Sequence, residues 1–111
     1  MIDLDTDVDT DAAVIRLRGR LTMVNAAALR STVTDALEAG RTRIVLDLSD
    51  CEFIDSSGLG AVIGGLKTAR QAGGDLRIAA LTAQVSTVLQ LTNLDRVLRP
   101  YDSVAGALHG S

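Results

Sequence analysis

The sequence predicts a single α/β domain on a mixed, mostly parallel sheet, with element order β-β-α-β-α-β-α-β-α. Three observations carry this expectation. Two segments of period two follow each other at the N-terminus, β-branched runs then alternate with stretches of helical spacing, and 111 residues suffice for one core but not two. The opening pair makes an antiparallel hairpin, whereas each strand–helix–strand unit needs a right-handed parallel crossover.

Residues 3–8 alternate Asp with Leu4, Thr6 and Val8, and residues 12–19, AAVIRLRG, alternate likewise after a turn near Thr10 and Asp11. Asn25 stands where a cap belongs for a helix that buries Ala26, Leu29, Val33 and Leu37, turns Arg30, Asp35 and Glu38 outward, and stops at Gly40. Residues 43–48, RIVLDL, are apolar with little alternation, the pattern of a central strand covered on both faces. A helix opening at SGLG then presents Leu59, Val62, Ile63 and Leu66 on one face and ends at Gly73 and Gly74. Residues 75–81 read as a further strand, and Thr82 as the cap of a helix burying Val85, Val88 and Leu89. RVLRPY reads as a short last strand, with Pro100 at its end or at a sheet edge, before a weak terminal helix capped by Ser103.

Composition excludes several functions. Hydrophobic residues make up 47% of the chain but aromatic residues only 2%, so the core is aliphatic and no aromatic platform exists for stacking bases. A net charge of −3 argues further against nucleic acid, whose phosphates call for a basic stripe. The N-terminus lacks the basic and apolar regions of a signal peptide, and the longest apolar run is too short to span a bilayer, so a cytoplasmic protein without direct membrane insertion is expected. Cys51, the single cysteine, permits no internal disulfide and no multi-cysteine zinc site; a buried small hydrophobe is its expected role.

Enzymatic chemistry finds little support. A serine nucleophile needs a base, and the one histidine, His109, lies three residues from the end. GLGAVIGG places Ile63 where a dinucleotide loop has its last glycine, and no G-K-[ST] sequence follows any glycine-rich turn. Aspartates 3, 5, 7, 9 and 11 do not fit a calcium loop, because glycine and the bidentate glutamate are missing at the required positions. Charge that keeps an exposed strand from pairing with other chains explains them better. No enzyme, metal or cofactor is therefore expected.

The chemistry concentrates in residues 53–60, FIDSSGLG. On the residues alone, Ser56 or Ser57 caps the following helix and Gly58 permits close packing. The alternative is a modification site. Exposed hydroxyls at a helix N-terminus suit a phosphoryl group, Asp55 adds a like charge beside them, and Gly58 and Gly60 leave a flat surface for a partner.

FIDSSGLGAVIGGLKTAR, preceded by RIVLDLSDC, closely resembles the signature of anti-sigma factor antagonists of the STAS domain family. The resemblance covers nearly the whole chain, from the GRL of residues 19–21 through GGDLRIAAL to LTNLDRV. It implies a mixed sheet with helices packed mainly on one side. It also implies that Ser56, directly after the aspartate, is phosphorylated by an anti-sigma factor that is also a serine kinase. The unphosphorylated antagonist binds that kinase and frees a sigma factor, the phosphorylated form lets go, and a serine phosphatase resets it. ATP and magnesium would belong to the kinase.

By this resemblance the partner surface comprises Thr22, Asp55, Ser56, Ser57, Gly58 and Leu59, with Ser57 serving as a loop and capping residue; a helix opening beside an exposed loop cannot bury every apolar position of its first turn, so of Leu59, Val62 and Ile63 the exposed one is expected to be Leu59. The chain departs from the family's pattern at Thr22, where many members carry an acidic residue; Thr22 keeps a hydrogen-bonding oxygen and loses the charge. Thr22 is expected close to Ser56, on loops leaving the same sheet edge. The stretch MVNA is similar to the transporter-associated branch, so the alternative is a non-phosphorylated adaptor subunit of a lipid or anion transporter.

Overall fold

The second strand organises the molecule, because three others pair with it. The computed structural model describes the backbone of residues 2–9 and residues 12–109 in full. Strand β1 (Ile2–Asp9) pairs antiparallel with β2 (Ala12–Leu21), with Ile2 opposite Gly19 and Asp9 opposite Ala12. The turn at Thr10 and Asp11 and the side chains of the N-terminal aspartates lie outside the described residues. On its other side, β2 first pairs in parallel with β3 (Arg43–Asp47), Ala12 to Arg16 matching Arg43 to Asp47. It then pairs with β4 (Cys51–Ile54), Leu21 opposite Ile54. Strand β5 (Asp75–Ala79) lies parallel to β3 at the far edge of the five-stranded sheet.

The handover from β3 to β4 fixes the geometry of everything downstream. The chain leaves β3 through a turn in which Asp47 Oδ1 accepts from the Ser49 amide at 3.0 Å and its hydroxyl at 2.8 Å. Pairing resumes as β4 with a register break between Gly19 and Arg20. Gly19 adopts φ +107°, a conformation that side chains disfavour, and its amide donates to the Asp50 carbonyl at 3.1 Å. The glycine thus swings the end of β2 across to β4.

Three helices cover one face of the sheet. Helix α1 (Ala26–Glu38) buries Ala26, Leu29, Val33 and Ala36, leaving Leu37 half-buried and Arg30, Asp35 and Glu38 exposed. Its C-terminus closes through Gly40 at φ +85°, as the sequence predicts. Helix α2 (Ser56–Gln71) buries Leu59, Ala61, Val62, Leu66 and Ala69, and Gly73 at φ +83° ends it. Helix α3 (Ala83–Leu91) contributes Val85 and Leu89. These side chains join Ala13, Ile15, Leu17, Ile44, Leu46 and Ile78 in the main core. On the opposite face, Val14, Val45 and Ala79 cluster with Ala107 of α4 (Val104–His109), with Tyr101, Val104 and Leu108 packed alongside. Ser103 caps α4, accepting from the Gly106 amide at 3.0 Å.

Two elements differ from expectation. Residues 51–54 form a strand that the expected element order does not contain. RVLRPY is not a strand: a 3-10 turn spans Leu94–Arg96, and only Tyr101 pairs, by an isolated parallel bridge to Ala79. Pro100 supplies no amide hydrogen for a ladder, and Asn93 at φ +59° has already turned the chain. The observed order is therefore β-β-α-β-β-α-β-α-α, with the 3-10 turn between the last two helices.

Candidate functional site

The D-S-S-G-L-G loop sits where β4 passes into α2, braced from both sides. Along β2, the Asp55 amide donates to the Leu21 carbonyl at 3.2 Å. Along the outer edge of β4, Gln84 of α3 substitutes for a neighbouring strand. Its Oε1 accepts from the Ile54 amide at 3.0 Å and its Nε2 donates to the Ile54 carbonyl at 3.3 Å. Thr82 stands at the cap position of α3 but makes no capping bond; its hydroxyl donates to the Cys51 carbonyl at 2.9 Å. Two side chains thus close an edge that would otherwise expose unpaired backbone groups. Cys51 is fully buried and its thiol donates to the Phe53 carbonyl at 3.5 Å, while burial pushes that thiol above its ordinary pKa. It serves as a packing residue.

Asp55, not a serine, caps α2. Its backbone is extended (φ −106°, ψ −178°) and its carboxylate accepts from the Gly58 amide at 2.7 Å. Ser56 and Ser57 fill the first two helical positions and are exposed, their hydroxyls spared the capping role. This corrects the assignment of a cap to either serine. A carboxylate competes better for the orphan amide because it is charged and sits near the positive helix end.

Two of the expected surface residues are interior. Leu59 is 4% exposed and belongs to the main core, because its place in the first turn of α2 points back onto the sheet. Gly58 is also buried, and a Cβ there would collide with the Leu21 carbonyl oxygen and lie 2.9 Å from the Leu21 Cγ. Gly58 is thus the contact through which α2 rests on the end of β2. Gly58→Ala should destabilise the domain by about 1–3 kcal/mol, the range for overpacking a tight site. Chemical denaturation reads this directly, and unchanged stability would show that β2 yields.

The loop from β2 to α1 emerges at the same end of the sheet, since Leu21 pairs with Ile54 and contacts both Asp55 and Gly58. This parallel pairing puts Thr22 and Ser56 on loops that leave the same end of the sheet. Thr22 is half-buried and its amide donates to Asn25 Oδ1 at 2.7 Å, while Asn25 Nδ2 donates to the Arg20 carbonyl at 2.5 Å. Asn25 occupies the cap position of α1 yet spends its side chain tying this loop. The tie leaves Met23 and Val24 standing out, 74% and 89% exposed. In the sequence they belong to the stretch MVNA, with no expected place on the partner surface. Their signal is there in retrospect: two apolar residues in a turn, outside the periodicity of either flanking element.

The face of α2 that continues outward from the serines is smooth. A Cβ at Gly60 or Gly64 would meet nothing within 4 Å, so the glycines are not demanded by packing. Each costs the helix roughly 0.5–1 kcal/mol relative to alanine. Ser56, Ser57 and Gly60 are exposed along this face, and Met23 and Val24 project from the loop that leaves the same end of the sheet.

Comparison with known proteins agrees with this architecture. The sequence profile of the STAS domain family matches residues 3–107. An anti-sigma F factor antagonist of Paenibacillus polymyxa is 30% identical over 96 residues, covering 86% of this chain and 82% of that protein. The crystal structure of a candidate anti-sigma factor antagonist of Thermotoga maritima superposes with a TM-score of 0.86 at 33% identity, covering 95% of this chain and 91% of the other. The phosphorylated form of the Bacillus cell-fate determinant SpoIIAA shares the fold at 24% identity, with a TM-score of 0.71 over 97% of this chain and 96% of that one. With its profile spanning all but the ends of the sequence and its fold matched over nearly the full length, the chain belongs to the STAS domain family.

Proposed function

We propose that this protein is an anti-sigma factor antagonist, switched by phosphorylation of Ser56. In the unmodified state it binds an anti-sigma factor that is also a serine kinase, and so frees a sigma factor. Phosphate on Ser56 ends that binding, and a serine phosphatase restores it. The protein itself is a substrate and a ligand, not an enzyme; ATP and magnesium belong to the kinase.

One observation carries this reading: Asp55 takes over the cap, which leaves the Ser56 hydroxyl exposed at the helix N-terminus and available to a kinase. The relatives named above support the partner class, and SpoIIAA is described in a phosphorylated form. The test is mass spectrometry after incubation with the cognate kinase and ATP. Phosphate on Ser56 is expected; phosphate on Ser57 alone, or none with a partner that binds regardless, contradicts the switch and favours an adaptor role.

Met23 and Val24 supply the apolar part of the partner surface in this reading, with Thr22, Asp55 and Ser57 at its polar margin. Val24→Glu should weaken partner binding at least about tenfold, near 1.4 kcal/mol, because a charge would be buried without a mate. Stability should stay within about 0.5 kcal/mol, since the side chain touches solvent in the free protein. Titration calorimetry beside a denaturation curve separates these effects, and undiminished binding would remove Val24 from the surface.

A further inference from the structure

A second site of different chemistry lies along the far edge of the sheet. Arg70 at the end of α2, Arg77 on β5, and Arg96 and Arg99 on the segment that leads to the Tyr101 bridge line a cleft of about 280 Å³ beside Tyr101. Arg70 stands about 20 Å along α2 from Ser56, at ~1.5 Å per residue, so the cleft is separate from the switch.

Four arginines share the lining with a single carboxylate, that of Asp75. Asp75 is already shared, lying 3.7 Å from Arg70 Nε and 3.5 Å from Arg77 Nε. Arg77 is held in place further by donating to the Ala107 carbonyl at 2.8 Å and by lying 5.3 Å from the centre of the Tyr101 ring. Arg96 and Arg99 are exposed and have no ion pair among the described residues. On a chain of net charge −3, this is a local excess of positive charge in a concave site. The arginine fork matches phosphate oxygens in pairs, and an anion would relieve the mutual repulsion of the four groups.

Size narrows the ligand. The cleft falls at or below the roughly 300–1,000 Å³ typical of sites for drug-sized molecules. The single aromatic ring in its lining, that of Tyr101, already has the Arg77 guanidinium over one face, which leaves little room to sandwich a base. We propose that this cleft binds a small soluble polyanion of the pyrophosphate class, gripped by Arg96 and Arg99 and oriented by Arg70 and Arg77.

Titration of the intact protein with pyrophosphate, against sodium chloride of equal ionic strength, tests this. Saturable binding is expected, with amide shifts at residues 77, 96 and 99 in NMR spectra and a raised melting temperature. Arg96→Ala combined with Arg99→Ala should weaken binding at least about tenfold, and circular dichroism should report an intact fold because both side chains are exposed. Ser56→Ala should leave pyrophosphate binding unchanged. Absence of saturable binding would overturn the proposal, as would an affinity the double variant does not alter. Binding to phosphatidylglycerol vesicles without binding to pyrophosphate would also overturn it, by assigning the cleft to a lipid surface.

Discussion

Leu59→Asp should unfold the domain, or leave it only marginally folded. Leu59 packs with Val62 and Leu66 in the main core and is 4% exposed. Truncating such a leucine to alanine costs about 2–5 kcal/mol, and a carboxylate in its place adds the cost of burying a charge or of protonating it. The total approaches the ~5–15 kcal/mol that holds a domain together. Urea denaturation of Leu59→Ala and Leu59→Asp side by side measures the two contributions. A Leu59→Asp protein with native stability and lost partner binding would return Leu59 to the surface.

Phosphate on Ser56 should lower affinity for the anti-sigma factor at least about a hundredfold, near 2.7 kcal/mol. The helix N-terminus tolerates an anion, so the free protein has no reason to refold. The bound state is different. Asp55 already places a carboxylate at the cap, and a partner closing over this surface would bury a group of roughly −1.5 to −2 charge beside it. Ser56→Ala should therefore bind constitutively and resist phosphorylation. Ser56→Asp should bind poorly, although one carboxylate carries less charge than phosphate. Ser57→Ala should still accept the label, since neither the cap nor the packing of α2 depends on that hydroxyl. Binding assays and mass spectrometry on the three variants check each outcome.

What the sequence made legible follows from how local each signal is. Helix faces were readable because the inward positions of α1 and α2 recur at helical spacing, and Gly40 and Gly73 take the left-handed conformation that ends each helix. Strand β4 was not readable. Its four residues, CEFI, owe their extended form to β2 on one side and to Gln84 and Thr82 on the other, partners some thirty residues away. RVLRPY misled for the opposite reason: its composition suits a strand, but Pro100 and the turn at Asn93 allow only one residue to pair.

At the site, the motif located the loop, while tertiary contacts assigned its members. Gly58 and Leu59 face inward because α2 rests on Leu21, and a sequence motif does not say which of its residues face the core. The cap went to Asp55 by direct competition for the Gly58 amide, a contest that composition leaves open among three neighbouring side chains.

The most direct measurement installs phosphoserine at position 56 during synthesis and compares affinity for the anti-sigma factor with that of the unmodified protein. Affinity at least about a hundredfold weaker is expected, with NMR amide shifts confined to the loops around residues 22–25 and 53–60. Equal affinity of the two forms would contradict a switch at Ser56.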